Sequence, residues 1–135
     1  MIAWDDSMST GLPNIDAQHK EIIEKYNELA EALAQGGGAA RTMAGELLDF
    51  LQFYSVWHFE REEKCMEEYR CPAAEANKQA HAEFMVIFGQ LYEEWWSTTM
   101  DLELVQETFT KVGEWIRNHI QRVDAQLLPC VREAG

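Results

Sequence analysis

Apolar residues recur every three or four positions through four long stretches of this chain, and glycine, proline or a serine and threonine cluster ends each one. That period belongs to a helix with one buried face, since the side chains of a strand alternate every second residue. The first stretch follows a candidate N-cap at Asp16, runs His19, Ile22, Tyr26, Leu29, Leu33 and ends at Gly36-Gly37-Gly38. The second starts near Ala39 or Ala40 and reads Leu47, Leu51, Tyr54, His58, Glu62, Cys65, Tyr69 up to Pro72. Ala74, Asn77, His81, Phe84, Phe88, Leu91 and Trp95 make the third, ending at Ser97-Thr98-Thr99. The fourth begins at about Asp101, shows Leu102, Val105, Phe109, Val112, Trp115 or Ile116, His119, Val123 and Leu127, and is expected to stop at Pro129.

The pattern predicts helices over about 16–35, 40–70, 73–96 and 101–128. Residues 1–15 contain Ser7, Ser9, Thr10, Gly11, Pro13 and Asn14 and read as an irregular arm held down mainly by Trp4 and Ile15. Connections of a few residues force antiparallel neighbours. The expected fold is all-α, a single domain over 1–135 formed by an up-down-up-down four-helix bundle.

Charge narrows the partners. With 11 Lys and Arg against 24 Asp and Glu, the net charge of -13 offers no cationic stripe for nucleic acid and is repelled by an anionic membrane. Acidic surface such as Glu67-Glu68 and Glu93-Glu94 reads as a solvated face that keeps the chain soluble and monomeric. Cys65, Cys71 and Cys130 are odd in number and lack a CxxC pair, so they read as reduced packing thiols in a cytosolic setting. The acidic start, Trp4-Asp5-Asp6, has neither a basic leader nor a long apolar run, and a cytoplasmic protein is expected.

Polar residues interrupt the apolar stripes. His19, His58 with Glu62, Asn77 with His81, and His119 stand where leucines would be expected, and Asp124 follows the stripe position Val123. Burying an unpaired carboxylate or imidazole costs several kcal/mol, so these groups require one another or a metal. His58 and Glu62 are four apart and share a helix face, as do Asn77 and His81. His119 and Asp124 are five apart, about 140° around a regular helix, and converge only through a local widening or a long reach. The chain has four histidines, and each predicted helix supplies one to its inward stripe. Imidazoles with bridging carboxylates and no convergent thiolates suit iron, manganese or zinc, and the number of donors favours two ions.

These residues resemble the bacterial members of the hemerythrin family, non-haem di-iron oxygen-binding bundles. The similarity rests on Gly11 and Ile15-Asp16-Ala17-Gln18-His19, on His58-Phe59-Glu60-Arg61-Glu62-Glu63 followed by Met66, on His81, and on Trp115-Ile116-Arg117-Asn118-His119-Ile120 with Asp124. The resemblance implies that His19 and His58 ligate one iron and His81 and His119 the other. Glu62, Asp124 and a solvent-derived oxo or hydroxo group would bridge the two Fe2+/Fe3+ ions. It also implies an oxygen pocket lined by Ile22, Phe59, Trp115, Ile116 and Ile120. The family carries HxxxH in the third helix, and Asn77 replaces the first of those histidines. Its amide oxygen could ligate, a water could fill in, or the position could stay open.

The function implied is reversible dioxygen binding for storage, delivery or sensing, with a protein acceptor of oxygen as a further partner. A vacancy at Asn77 that admits peroxide or small anions gives the alternative of a di-iron peroxidase or oxidase. A metal-poor helical interaction domain is the other.

Overall fold

A computed structural model describes residues 2–134 apart from Thr98; the side chains of Ala39, Asp124, Ala125, Glu133 and Ala134 also lie outside what it describes. The helices are α1 (Pro13–Gln35), α2 (Gly37–Glu68), α3 (Ala74–Trp96) and α4 (Leu102–Ala134), with no strand among the described residues. They form an all-α four-helix bundle in which α1 packs chiefly on α2, α2 on α3 and α3 on α4. α4 approaches α1 closely at Gly113, where even a methyl group would collide with the Tyr26 phenol. That phenol donates to the Phe109 carbonyl at 3.0 Å, and burial pushes its pKa up to about 12.

Several local expectations are corrected. Asp16 does not cap the first helix, which starts three residues earlier with Pro13 in its first turn and Leu12 at the cap. Its carboxylate instead reaches back to the arm, accepting from the Thr10 amide, the Thr10 hydroxyl and the Ser9 hydroxyl at 2.7–2.8 Å. The arm contains a short 3-10 turn (Asp6–Met8) and is anchored by buried Ile2 and Met8, with Trp4 only half-buried. Asn27 holds Ile2 at both backbone groups, at 2.9 and 2.7 Å. Ile15 is buried, as expected.

Gly36 alone separates α1 from α2, with a φ of 67° that suits glycine. Gly37 and Gly38 belong to the first turn of α2, where unbonded amides are normal. Pro129 does not stop α4. It lies inside the helix, which loses one amide donor and continues to Ala134. On α2 the buried line is Ala44, Leu48, Leu51, Ser55, Phe59, Glu62 and Met66; Leu47, Tyr54, Cys65 and Tyr69 are half-buried beside it. Leu102, placed on the fourth stripe, is exposed.

The cysteine reading is also overturned. Cys71 and Cys130 form a disulfide with a Cα–Cα distance of 5.7 Å across 59 residues, leaving Cys65 free. Spacing gave no hint because the pair is made by the fold. α2 ends with Arg70 at a φ of 53°, the Arg70 amide bonding to the Glu67 carbonyl and the Cys71 amide to that of Met66. This left-handed helix stop turns Cys71 inward over Met66.

Two apolar clusters result. The larger holds Ile22, Leu29, Leu48, Phe88 and Val112; the smaller holds Met66, Cys71, Val123 and Leu127 with Leu12 against it. The polar intruders sit between them, since Glu62 lies between Phe59 of one and Met66 of the other.

Candidate metal centre

Glu62 is fully buried one turn beyond His58 on α2, and imidazoles from all four helices converge on it. His19 Nε2 and His58 Nε2 lie 2.8 and 3.1 Å from Oε2. His81 Nε2 and His119 Nε2 lie 2.9 and 3.4 Å from Oε1, and 3.0 Å from each other. The carboxylate therefore belongs to two compact triads, His19-His58-Glu62 and Glu62-His81-His119, whose ligand atoms lie within 4.8 Å of one another.

Neighbouring side chains fix the rings. His58 Nδ1 donates to Gln18 Oε1 at 2.7 Å and His81 Nδ1 donates to Glu63 Oε2 at 2.8 Å. A ring held this way turns Nε2 toward the centre as the ligating atom. His119 stacks on Trp115 at a centroid distance of 4.3 Å, and His81 stacks on Phe59 at 3.9 Å. Neither Gln18 nor Glu63 stands out by spacing. Each directly precedes or follows a residue already singled out, and that adjacency is the signal that could have found it.

Burial lowers the pKa values of His58 and His119 against the opposing pull of Glu62. Burial alone would raise Glu62, but the rings of His119, His19, His58 and His81 at hydrogen-bonding distance hold its pKa well below the usual carboxylate range. An anionic Glu62, with His58 and His119 favoured in the neutral form, is the state in which such groups bind a cation.

The contacts fit a metal better than they fit each other. Glu63 can only accept, so the Nδ1 proton of His81 is committed to it. In a neutral ring Nε2 is then a bare lone pair, yet it faces both Glu62 Oε1 and His119 Nε2 at hydrogen-bond distance. Atoms about 2.1 Å from one ion stand about 3.0–3.4 Å apart for angles between about 90° and the tetrahedral one, and the three atoms here stand 2.9, 3.0 and 3.4 Å apart.

Asn77 does not offer its oxygen to this cluster. Its amide nitrogen donates to Glu62 Oε1 at 3.0 Å, making a third group on that oxygen. α4 is continuous α-helix from His119 through 124, so the local widening is not the route by which His119 and Asp124 would converge, and the Asp124 side chain lies outside the described residues. Lys78 is exposed and paired with Glu67 at 3.2 Å, away from the cluster.

Beside the histidines is a small, mostly apolar cavity of about 20 Å3. Ile22, Phe59, Trp115, Ile116 and Ile120 line it together with His19, His58 and His119. Ser55 and Phe84 complete the wall and were missed, because a lone serine or phenylalanine on a helical stripe has no distinguishing pattern.

Comparison with known proteins accords with this geometry. Residues 10–131 match the model of the hemerythrin HHE cation binding domain. The chain is 32% identical over 132 residues to the bacteriohemerythrin of Methylococcus capsulatus, covering 97% of each. It is also 32% identical over 124 residues to that of Stenotrophomonas maltophilia, covering 92% of this chain and 77% of the relative. A solved structure of a leucine-to-phenylalanine mutant superposes with a TM-score of 0.82 at 29% identity over 96% of both chains.

Proposed function

Because this chain belongs to the hemerythrin family, we propose that it binds dioxygen reversibly at a non-haem di-iron centre, for oxygen storage, delivery or sensing. The observation that carries this reading is the division of one buried carboxylate between two histidine pairs. His19 and His58 would hold one iron, His81 and His119 the other, with Glu62 and Asp124 bridging. An iron pair held there would supply the electrons by which dioxygen is held and released.

The protein's own residues set the conditions. Ile22, Phe59, Ile116 and Ile120 keep water from the cavity, which has room for a small apolar molecule and little more. Trp115 lines the cavity and holds the His119 ring by stacking. Gln18 and Glu63 retain the outer ring protons, so the inner nitrogens face the metals. Asn77 takes the place of a family histidine and orients Glu62 through its amide.

No helix among the described residues is long and apolar enough to cross a membrane. A cytoplasmic location is part of the reading, and the Cys71–Cys130 bridge bears on it, because cytosolic reductants keep most thiols reduced. Trapping thiols at cell lysis would find both cysteines reduced if the protein is cytoplasmic.

The test of function pairs iron analysis with absorption spectroscopy. Iron-loaded protein, reduced under argon and then exposed to oxygen, is expected to gain charge-transfer absorption that disappears when oxygen is withdrawn. Full iron content with a spectrum indifferent to oxygen would overturn the proposal.

A further inference from the structure

α2 is apolar on two opposite sides. Its inner side carries the buried line from Ala44 to Met66. On the outer side, Met43, Phe50 and Trp57 are spaced by heptads with Phe53 between the last two, and their relative exposures are 53%, 38%, 36% and 81%. Among the described residues the other large exposed apolar side chains outside α2 are Val86, Trp96, Leu102 and Leu104, scattered over α3 and α4. A helix with an apolar stripe on its solvent side has a second face to cover, and heptad spacing matches the seam of a helix pair.

The stripe is already ordered. Tyr54 stacks on Phe50 at 5.2 Å and packs on Trp57 at 5.3 Å, and the Arg61 guanidinium lies 4.2 Å over the Trp57 ring. Prearranged rings lose little freedom on docking.

We propose that this face is the interface of a two-fold dimer in which α2 packs antiparallel against α2 of a second copy. Charge selects this occupant and this direction. Glu46 lies one heptad before Phe53, and Lys64 lies one heptad after Trp57. With the two-fold at the level of Ser55, Phe53 meets Trp57 of the partner subunit and Glu46 meets the partner's Lys64. A parallel arrangement would set Glu46 against its own copy. The net charge of -13 opposes association at long range, but salt screens that field within about 8 Å under physiological conditions. The dimer does not depend on the oxygen-binding reading, and it revises the monomer expected from composition.

Sedimentation at physiological ionic strength tests it. The expected species has twice the 15.6 kDa chain mass. Phe53→Glu, at a position too exposed to affect folding, should raise the dissociation constant on the order of 30-fold and leave the helical content in place. Glu46→Lys should weaken the dimer, and adding Lys64→Glu should restore it. A wild-type chain of 15.6 kDa at every concentration reached, or a Phe53→Glu variant that still dimerises, would overturn the interface. Failure of the double charge reversal to restore association would overturn the antiparallel register.

Discussion

The two halves of the centre share a carboxylate and differ in what stands behind it. On the α1–α2 side, His19 and His58 approach Oε2, Gln18 anchors one ring through a neutral amide, and both imidazoles border the apolar cavity. On the α3–α4 side, His81, His119 and Asn77 crowd Oε1, the anchor is the carboxylate of Glu63, and only His119 of the pair reaches the cavity wall. The first half is therefore placed to meet a small apolar ligand, and the second to hold a cation firmly. A second negative charge behind His81 offsets the imidazole missing at position 77, because it makes the remaining nitrogen a stronger donor.

Glu62→Gln should have the largest effect, since one change removes the charge on which both halves depend. Iron content should fall to near zero, and a variant that retained one full equivalent would show the halves to be independent. Next come the anchors, tested by stepwise metal titration. Gln18→Leu should weaken the α1–α2 half and Glu63→Leu the α3–α4 half, each by about 10- to 100-fold, with the charged anchor costing more. Equal losses at both sites from either change would erase the distinction drawn above.

Asn77→His should tighten only the second half, by roughly tenfold, and slow oxidation of the loaded protein. No change in either quantity would mean that the position is already satisfied. The smallest effect is on the pH dependence of the metal-free chain. His58 and His119 have pKa values lowered in the folded state, so the unfolded chain binds more protons as the pH drops below the free-histidine value of 6.5. Glu62, also lowered, adds the same sign below the ordinary carboxylate value of 4.5. The melting temperature should thus fall on acidification, beginning near pH 6.5, and loaded protein should resist until the metal leaves. A flat profile down to pH 5 would contradict the buried neutral imidazoles.

Legibility in the sequence followed how cleanly each helix separates its faces. On α3 every stripe position from Asn77 to Trp95 is buried where the period puts it, because the exposed apolar residues Val86 and Trp96 stand apart and form no second stripe. On α2 the period was right but the phase was displaced. Tyr54 reads as core and stacks on the outer aromatics, whereas Ser55 and Met66 are the fully buried residues. With apolar residues on two sides, spacing alone cannot choose the inner one. The convergence of His19, His58, Glu62, His81 and His119 was legible because each is a polar residue on an apolar stripe. Gln18 and Glu63 break no pattern, and only their adjacency to His19 and Glu62 marks them before the ring nitrogens are traced to their partners. The disulfide depends on a left-handed stop at an arginine, which no turn rule anticipates.

The Cys71–Cys130 bridge joins the turn between α2 and α3 to the far end of α4. Those three helices carry His58, Glu62, His81 and His119, so the crosslink fastens most of the coordinating frame from outside it. Even stripped of its ions, such a frame keeps its helices in register, and reloading becomes a matter of insertion into a standing socket instead of refolding around the incoming metal.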